Sequence, residues 1–217
     1  MNLLGIDTST ENVSLAMMVD NKIILDFNRY QPYGASKAIV YIKKFLDKSS
    51  INLDIFDVFV LGAGPGSFTG LRISFSLIKA FSLALNKPVV KLGSFYSYAS
   101  QVKHNTSKIA IVTDAKREMV YATTMRIKNG IIKRERKEAL YSLKDFMKRY
   151  RDYLFVTNNE YLREKCKSYG VNIYPKNVWP NAKELLLMVK ESSPLNFTPL
   201  NKMEPIYVYP NDCQVRV

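Results

Sequence analysis

Four of the nine glycines fall within nine residues, Gly62-Ala63-Gly64-Pro65-Gly66-Ser67-Phe68-Thr69-Gly70. A glycine run between two apolar segments can bring its backbone against another surface. It can also present free N–H groups at a helix start, which is the chemistry of anion recognition. Ser67 or Thr69 can cap the helix that follows. Two phosphate-binding patterns fail on spacing. The nucleotide loop needs Lys and then Ser or Thr after its last glycine, whereas Gly70 is followed by Leu71. The dinucleotide pattern lacks its third glycine in both registers. A recognition loop of another kind and a turn built only for folding both remain open, with the loop favoured by the exposed type of Phe68.

Asp7-Thr8-Ser9-Thr10-Glu11 is rich in oxygen. It can hold a metal–phosphate group, or simply be a hairpin turn of turn-forming residues. Asp114-Ala115-Lys116-Arg117-Glu118 ends a second apolar segment in the same way, which fits either an active cleft or the relic of one. His104 is the single histidine, which excludes a His-pair metal site and argues against a Ser-His-Asp triad. Cys166 and Cys213 lie 47 positions apart and read as two free thiols in a reducing compartment.

The elements that must position these residues follow from periodicity. Asn2–Asp7, Asn12–Val19 and Lys22–Asn28 are expected strands, the last two joined by the turn Asp20-Asn21. Ala35, Ala38, Ile39, Ile42, Phe45 and Leu46 share one helical face, predicting a helix over 35–48. A strand at Asp57–Leu61 precedes the glycine run, and a long apolar helix, Leu71–Asn86, follows it. Val89-Val90 is a short strand and Ser94–Val102 a helix. The polar stretch 103–108 is the expected domain boundary, giving an N-terminal half 1–102 and a smaller C-terminal half 103–217. There the pattern restarts with strands at Lys108–Thr113, Met119–Ile127 and Ile131–Leu140, the last pair joined by the hairpin signal Asn129-Gly130. A helix at Ser142–Tyr150, a strand at Tyr153–Val156, and helices near Tyr161–Ser168 and Ala182–Glu191 complete the expected order. The fold class is α/β, in two topologically similar halves.

The long helix is the most informative element. Arg72, Ser76, Lys79, Ser82 and Asn86 form its one polar stripe, so apolar residues remain for two sides. Either the helix is internal, or its outer side meets another subunit. No apolar run approaches the 20 or so residues of a membrane span, and the N-terminus lacks the form of a signal peptide. The net charge is +13, and residues 126–151 alone hold 10 basic and 3 acidic side chains. That segment can contact nucleic acid, or be a solvated basic face enriched by AT-rich coding.

Asp7-Thr8-Ser9-Thr10, Gly64-Pro65-Gly66-Ser67-Phe68-Thr69-Gly70-Leu71-Arg72, Asp114-Ala115-Lys116-Arg117 with Val120-Tyr121, and the closing Pro205-Ile206-Tyr207 together resemble the bacterial TsaB (YeaZ) family over the whole chain. The resemblance implies two related halves of the actin/sugar-kinase/Hsp70 type, each a mixed sheet with flanking helices. It implies a non-catalytic, cytoplasmic partner of the transferase TsaD in making threonylcarbamoyladenosine beside the anticodon of tRNAs that read ANN codons. TsaD carries a metal-binding H-x-x-x-H helix, and a chain with one histidine is not that subunit. The resemblance further implies a direct heterodimer with TsaD, a homodimer when the chain is alone, and complex-dependent association of the ATPase TsaE. The interface would use Ala38, Tyr41, Ile42, Phe45, Phe68, Leu71, Arg72, Phe75, Ile78, Lys79 and Ser82. Asp7, Thr8, Ser9 and Asp114 would line a degenerate cleft with no metal, and ATP or ADP would bind at interfaces of the complex rather than to this chain alone. tRNA would be reached indirectly or through the basic 126–151 segment, with Lys133, Arg134, Arg136 and Lys137 as its expected contacts. Three departures stand out: Tyr33-Gly34-Ala35-Ser36-Lys37 where the family opens its first helix with His-Ser/Thr-Glu/Gln, Ser74 after Ile73, and Tyr209 in place of an arginine. An ATP-dependent transferase or kinase-like enzyme of the same fold, and an autonomous RNA-binding module, are the competing readings.

Overall fold

The computed structural model describes residues 1–102, 106–192 and 194–208. His104, Tyr209 and Cys213 lie outside the described residues. In chain order the elements are β1 (Leu3–Asp7), β2 (Asn12–Val19), β3 (Lys22–Tyr30), α1 (Ala38–Ser49), β4 (Val58–Gly62), α2 (Phe68–Leu85), β5 (Val89–Leu92) and α3 (Ser94–Ser100). They continue with β6 (Thr106–Asp114), β7 (Met119–Lys128), β8 (Ile131–Arg134), β9 (Ala139–Ser142), α4 (Leu143–Arg149), β10 (Leu154–Val156), α5 (Glu160–Ser168) and α6 (Ala182–Glu191). The chain forms two compact units, Met1–Ser97 with Pro180–Ile206, and Tyr98–Trp179 with Tyr207–Val217.

The first unit holds a five-stranded sheet of order β3-β2-β1-β4-β5. β1, β2 and β3 are antiparallel neighbours, while β4 and β5 run parallel to β1. Alternate residues of β1 serve two cores, as expected of a strand buried on both faces. Leu4 and Ile6 join Ala38 and Ile42 of α1 and Leu71, Phe75 and Ile78 of α2. Leu3, with Ala16, Met18, Val58 and Val60, packs against Ala182, Leu185, Leu186 and Val189 of α6. The expected boundary is therefore corrected. The half 103–217 does not stay together, because the apolar face of α6 finds its partner on the first sheet. Ser14 Oγ, on that face of β2, accepts a hydrogen bond from Ala182 N at 2.8 Å, satisfying a donor at the helix start.

The second unit has strand order β10-β6-β7-β8, with β9 also pairing β7. β6, β7 and β8 are antiparallel neighbours and β10 runs parallel to β6. Both sheets thus share one plan, a meander with a parallel strand added beside its first strand, and both are mixed. The expected single strand over 131–140 is two strands. Glu135 N and Arg136 N both donate to Thr124 O, at 2.8 and 3.3 Å, and this interrupts the ladder. The expected helix over 35–48 begins as a 3-10 turn at Gly34–Lys37 and becomes α-helical at Ala38.

α2 is long and apolar enough, by length and composition alone, to cross a membrane, contrary to the expectation that no segment would be. It is built as a core helix of the first unit, with Gly70, Leu71, Ser74, Phe75, Ile78 and Ser82 buried.

Candidate functional site

The glycine block is docked on the turn that follows β1. A Cβ at Gly66 would sit 1.9 Å from the carbonyl oxygen of Ser9, and one at Gly70 would sit 2.0 Å from that of Thr8. Only a hydrogen side chain permits backbones this close. The approach is held by Ser67 N donating to Ser9 O at 2.7 Å and Thr8 Oγ1 donating to Gly70 O at 2.8 Å. Gly64 has φ +86° and its N–H donates to Ser94 Oγ at 2.9 Å. Ser67 caps α2, its hydroxyl accepting from Gly70 N at 3.2 Å.

Asp7 lies beneath this junction and is fully buried. Its Oδ1 accepts from Ser9 N at 2.9 Å and from Ser9 Oγ at 2.6 Å, while Oδ2 has no hydrogen-bond partner. Burial raises its pKa above the ordinary carboxylate value, against the hydrogen bonds from Ser9 that favour the charged form. The amides of Ser9, Gly64, Ser67 and Gly70 all donate inside the unit.

Asp114 ends β6 as Asp7 ends β1, but it is partly exposed and pairs with Lys116 Nζ at 3.0 Å. Lys116, Arg117 and Glu118 are three successive left-handed residues, with φ 68°, 54° and 58°. Such a run costs energy in L-residues and persists only where the surroundings hold it. Here Ala115 N donates to Met119 O and Met119 N to Lys116 O, both at 3.0 Å, and Tyr161 Oη donates to the Glu118 carboxylate.

The docked block aims the residues after it outward. Ser67, Phe68 and Thr69 are exposed, and Arg72 lies one turn on with its guanidinium carbon 3.8 Å from the Phe68 ring centroid. The exposed line continues along α2 through Ser76 and Ala80 to Leu83. Phe68 is 52% exposed, Leu83 70%, and on α1 Ile39 45% and Val40 61%. Beside them lies a shallow groove of about 200 Å³ lined by Ile42, Leu46, Ile51, Leu53 and Phe81.

Of the expected interface residues, Phe68 and Arg72 face solvent, and Tyr41, Phe45 and Lys79 are partly covered. Ala38, Ile42, Leu71, Phe75, Ile78 and Ser82 are corrected: all six are buried in their own unit and offer no surface. The inward stripe of an amphipathic helix is spent on its own sheet before it can serve a partner. Ile39, Val40, Ser76, Ala80 and Leu83, which the expected set leaves out, are exposed on the same two helices. For Val40, Ala80 and Leu83 the sequence signal is an apolar residue lying off the inward stripe, whereas Ile39 counts on the stripe of α1 and Ser76 on the polar stripe of α2.

The model of the family described as "TsaD: tRNA N6-adenosine threonylcarbamoyltransferase" matches residues 35–177, well over half of the chain, which makes the chain a member of that family. A Bacillus subtilis protein named tRNA threonylcarbamoyladenosine biosynthesis protein TsaB is 28% identical over 133 residues, 61% of this chain and 58% of that protein. The Escherichia coli protein of the same name is 28% identical over 143 residues, 64% and 62% of the two chains. In both cases the match spans less than two thirds of the relative's own length. A Pseudomonas aeruginosa crystal structure, described as similar to peptidase YEAZ, covers 96% of this chain and 99% of its own with a TM-score of 0.81 at 22% identity, which shows the fold.

Proposed function

We propose that this protein, which belongs to the TsaB (YeaZ) family of tRNA threonylcarbamoyladenosine biosynthesis, is a non-catalytic partner subunit that binds a TsaD transferase directly. In that role it supports threonylcarbamoyl transfer to the adenosine beside the anticodon of tRNAs reading ANN codons. The observation that carries the reading is the uncovered face of α2 and α1, with Phe68, Leu83, Ile39 and Val40 exposed on helices whose other sides already form a core. Burying a large apolar side chain contributes roughly 1.5–3 kcal/mol, so a few such residues can supply an interface core. The close docking of the glycine block on the Thr8–Ser9 backbone and the buried Asp7 support a partner over an ATP-dependent enzyme of this fold. In this reading the two sheets descend from related actin/sugar-kinase/Hsp70-like halves, and Asp7, Thr8, Ser9 and Asp114 are remains of a site that no longer binds. ATP or ADP then belongs to interfaces of the complex, TsaE joins only the assembled pair, and the setting is cytoplasmic.

Alone, the chain pairs with itself through the same patch, so self-association and TsaD binding compete. The test is a double variant, Ser76→Glu with Leu83→Glu, at two exposed positions of α2. It should be a folded monomer by light scattering and should no longer retain the same organism's TsaD in a pull-down. Undiminished TsaD binding by that monomer would place the interface elsewhere.

A further inference from the structure

We infer that one end of the second sheet is a face that binds the RNA phosphate backbone, an inference that rests on the tRNA-complex reading above and adds a surface to it. The ladder sets Lys108 of β6 opposite Arg126 of β7, and Arg126 opposite Lys133 of β8. Residues opposite one another share a face, so three cations stand abreast across three strands. At about 4.8 Å between strands the row spans roughly 10 Å. Lys128 lies two residues from Arg126, on the same face. All four are exposed.

Further along the same face, Ala110, Val112, Val120 and Ala122 are buried with Leu143, Phe146 and Met147 of α4 and Leu162 of α5. The face is therefore divided into an apolar part roofed by helices and an open cationic end. Like charges directly opposite one another destabilise a sheet. One carboxylate offsets part of that cost: Glu135 Oε1 lies 2.6 Å from Arg126 Nη2, and its other oxygen accepts from Tyr153 Oη at 3.1 Å. Lys108 Nζ sits 5.8 Å from the centroid of the Tyr153 ring. Four cations, one carboxylate and an aromatic ring fit a polyanion with regular charges and bases that can stack. Backbone contacts of this kind position an RNA without reading its sequence.

Compositional drift alone does not call for this alignment. Arg134, next in the chain, falls on the opposite side of the strand and is committed to Glu138, with Nη1 at 3.1 and 2.8 Å from its two oxygens. Of the expected contacts, Lys133 stays on the proposed face and Arg134 leaves it, Lys108, Arg126 and Lys128 join it, and Arg136 and Lys137 are exposed beyond the end of β8.

The test uses the full chain and an unmodified tRNA transcript, with binding followed by fluorescence anisotropy across a salt series. Lys108→Gln, Lys128→Gln and Lys133→Gln are combined in one variant. The control combines Lys22→Gln, Lys176→Gln and Lys202→Gln, three exposed lysines elsewhere. Each lost phosphate contact lowers the log–log salt slope by about 0.7–0.9, so the face variant should lose about 2–3 in slope and roughly two orders of magnitude in affinity at 0.1 M salt. The control should keep the wild-type slope. The inference is overturned if the face variant keeps its slope, if the control loses as much, or if the wild-type chain does not bind the transcript. It is also overturned if polyglutamate displaces the transcript as well as unlabelled tRNA does, because the face would then take acidic protein equally. TsaD pull-downs on the same variants separate the two readings. Intact TsaD binding with an unchanged salt slope defeats only the RNA face, and lost TsaD binding by the wild type with a responsive slope defeats only the partner role.

Discussion

Replacing Gly66 by alanine probes the joint on which the candidate site depends. The added Cβ would lie 1.9 Å from Ser9 O, 2.9 Å from Ser9 C and 3.1 Å from Ser9 Cβ, so the loop and the turn must part by more than an ångström. The turn cannot easily recede, because Ser9 is tied through both N and Oγ to the buried Asp7. The loop must lift instead, and that breaks the 2.7 Å bond from Ser67 N to Ser9 O. Overpacking costs about 1–3 kcal/mol and a stranded buried carbonyl about 1–3 kcal/mol. The smaller unfolded-state entropy of alanine returns about 0.4–1 kcal/mol. The expected net loss is about 3 kcal/mol, a fall in Tm of roughly 6–12 °C for a chain of this size. Gly170→Ala is the comparison, since among the described residues nothing lies within 4 Å of an added Cβ, and its φ of +68° supplies the strain. That strain is about 1–2 kcal/mol. Scanning calorimetry on both variants, with urea titration as a check, decides the matter. A Gly66→Ala protein within about 1 kcal/mol of wild type, or no worse than Gly170→Ala, would refute the close-approach argument.

Asp7→Asn should change how stability depends on pH. The native carboxyl, its pKa raised by burial, keeps its proton above the ordinary value of 3.8 while the unfolded chain loses it, so the native state binds more protons. The wild type therefore loses stability as pH rises from 3.8 until the native pKa is passed, and the Asn variant gains relative to it over that window; a pH-independent difference in urea titrations would contradict this. The buried Cys166 thiol is pushed up to about 11 by burial. In a Cys213→Ser background it should react with a thiol reagent at pH 8 only after urea unfolding, and rapid labelling of the folded chain would show that the thiol is accessible.

The strands and helices were legible because their periods were simple, and the site was legible only where local signals reached it. Asn129-Gly130 marks a hairpin, and its two-residue turn already places Lys128 opposite Ile131 and Arg126 opposite Lys133. Counting outward from that turn gives two of the three cations in the row. The third, Lys108, depends on how β6 aligns with β7, which no turn of two residues specifies. Local cues failed at α6 for a related reason. Leu185, Leu186 and Val189 announce an apolar face, but the strands that receive it lie far back in the chain. The glycine run shows the same limit. Its composition promises a close approach, yet the surface approached, the backbone of Thr8 and Ser9, lies more than fifty residues earlier.

α2 is the sharpest case, because its composition is apolar on two sides and periodicity alone cannot say which side faces the sheet. The N-cap decides it. Ser67 fixes the first turn, the docked glycines fix Ser67, and from there a rotation of about 100° per residue sends Leu71, Phe75 and Ile78 inward. The same rotation leaves Phe68, Arg72, Ser76 and Leu83 on the outside. By clamping the end of β1, the glycine block sets the angular phase of the helix and so selects which side chains join the core and which stay uncovered.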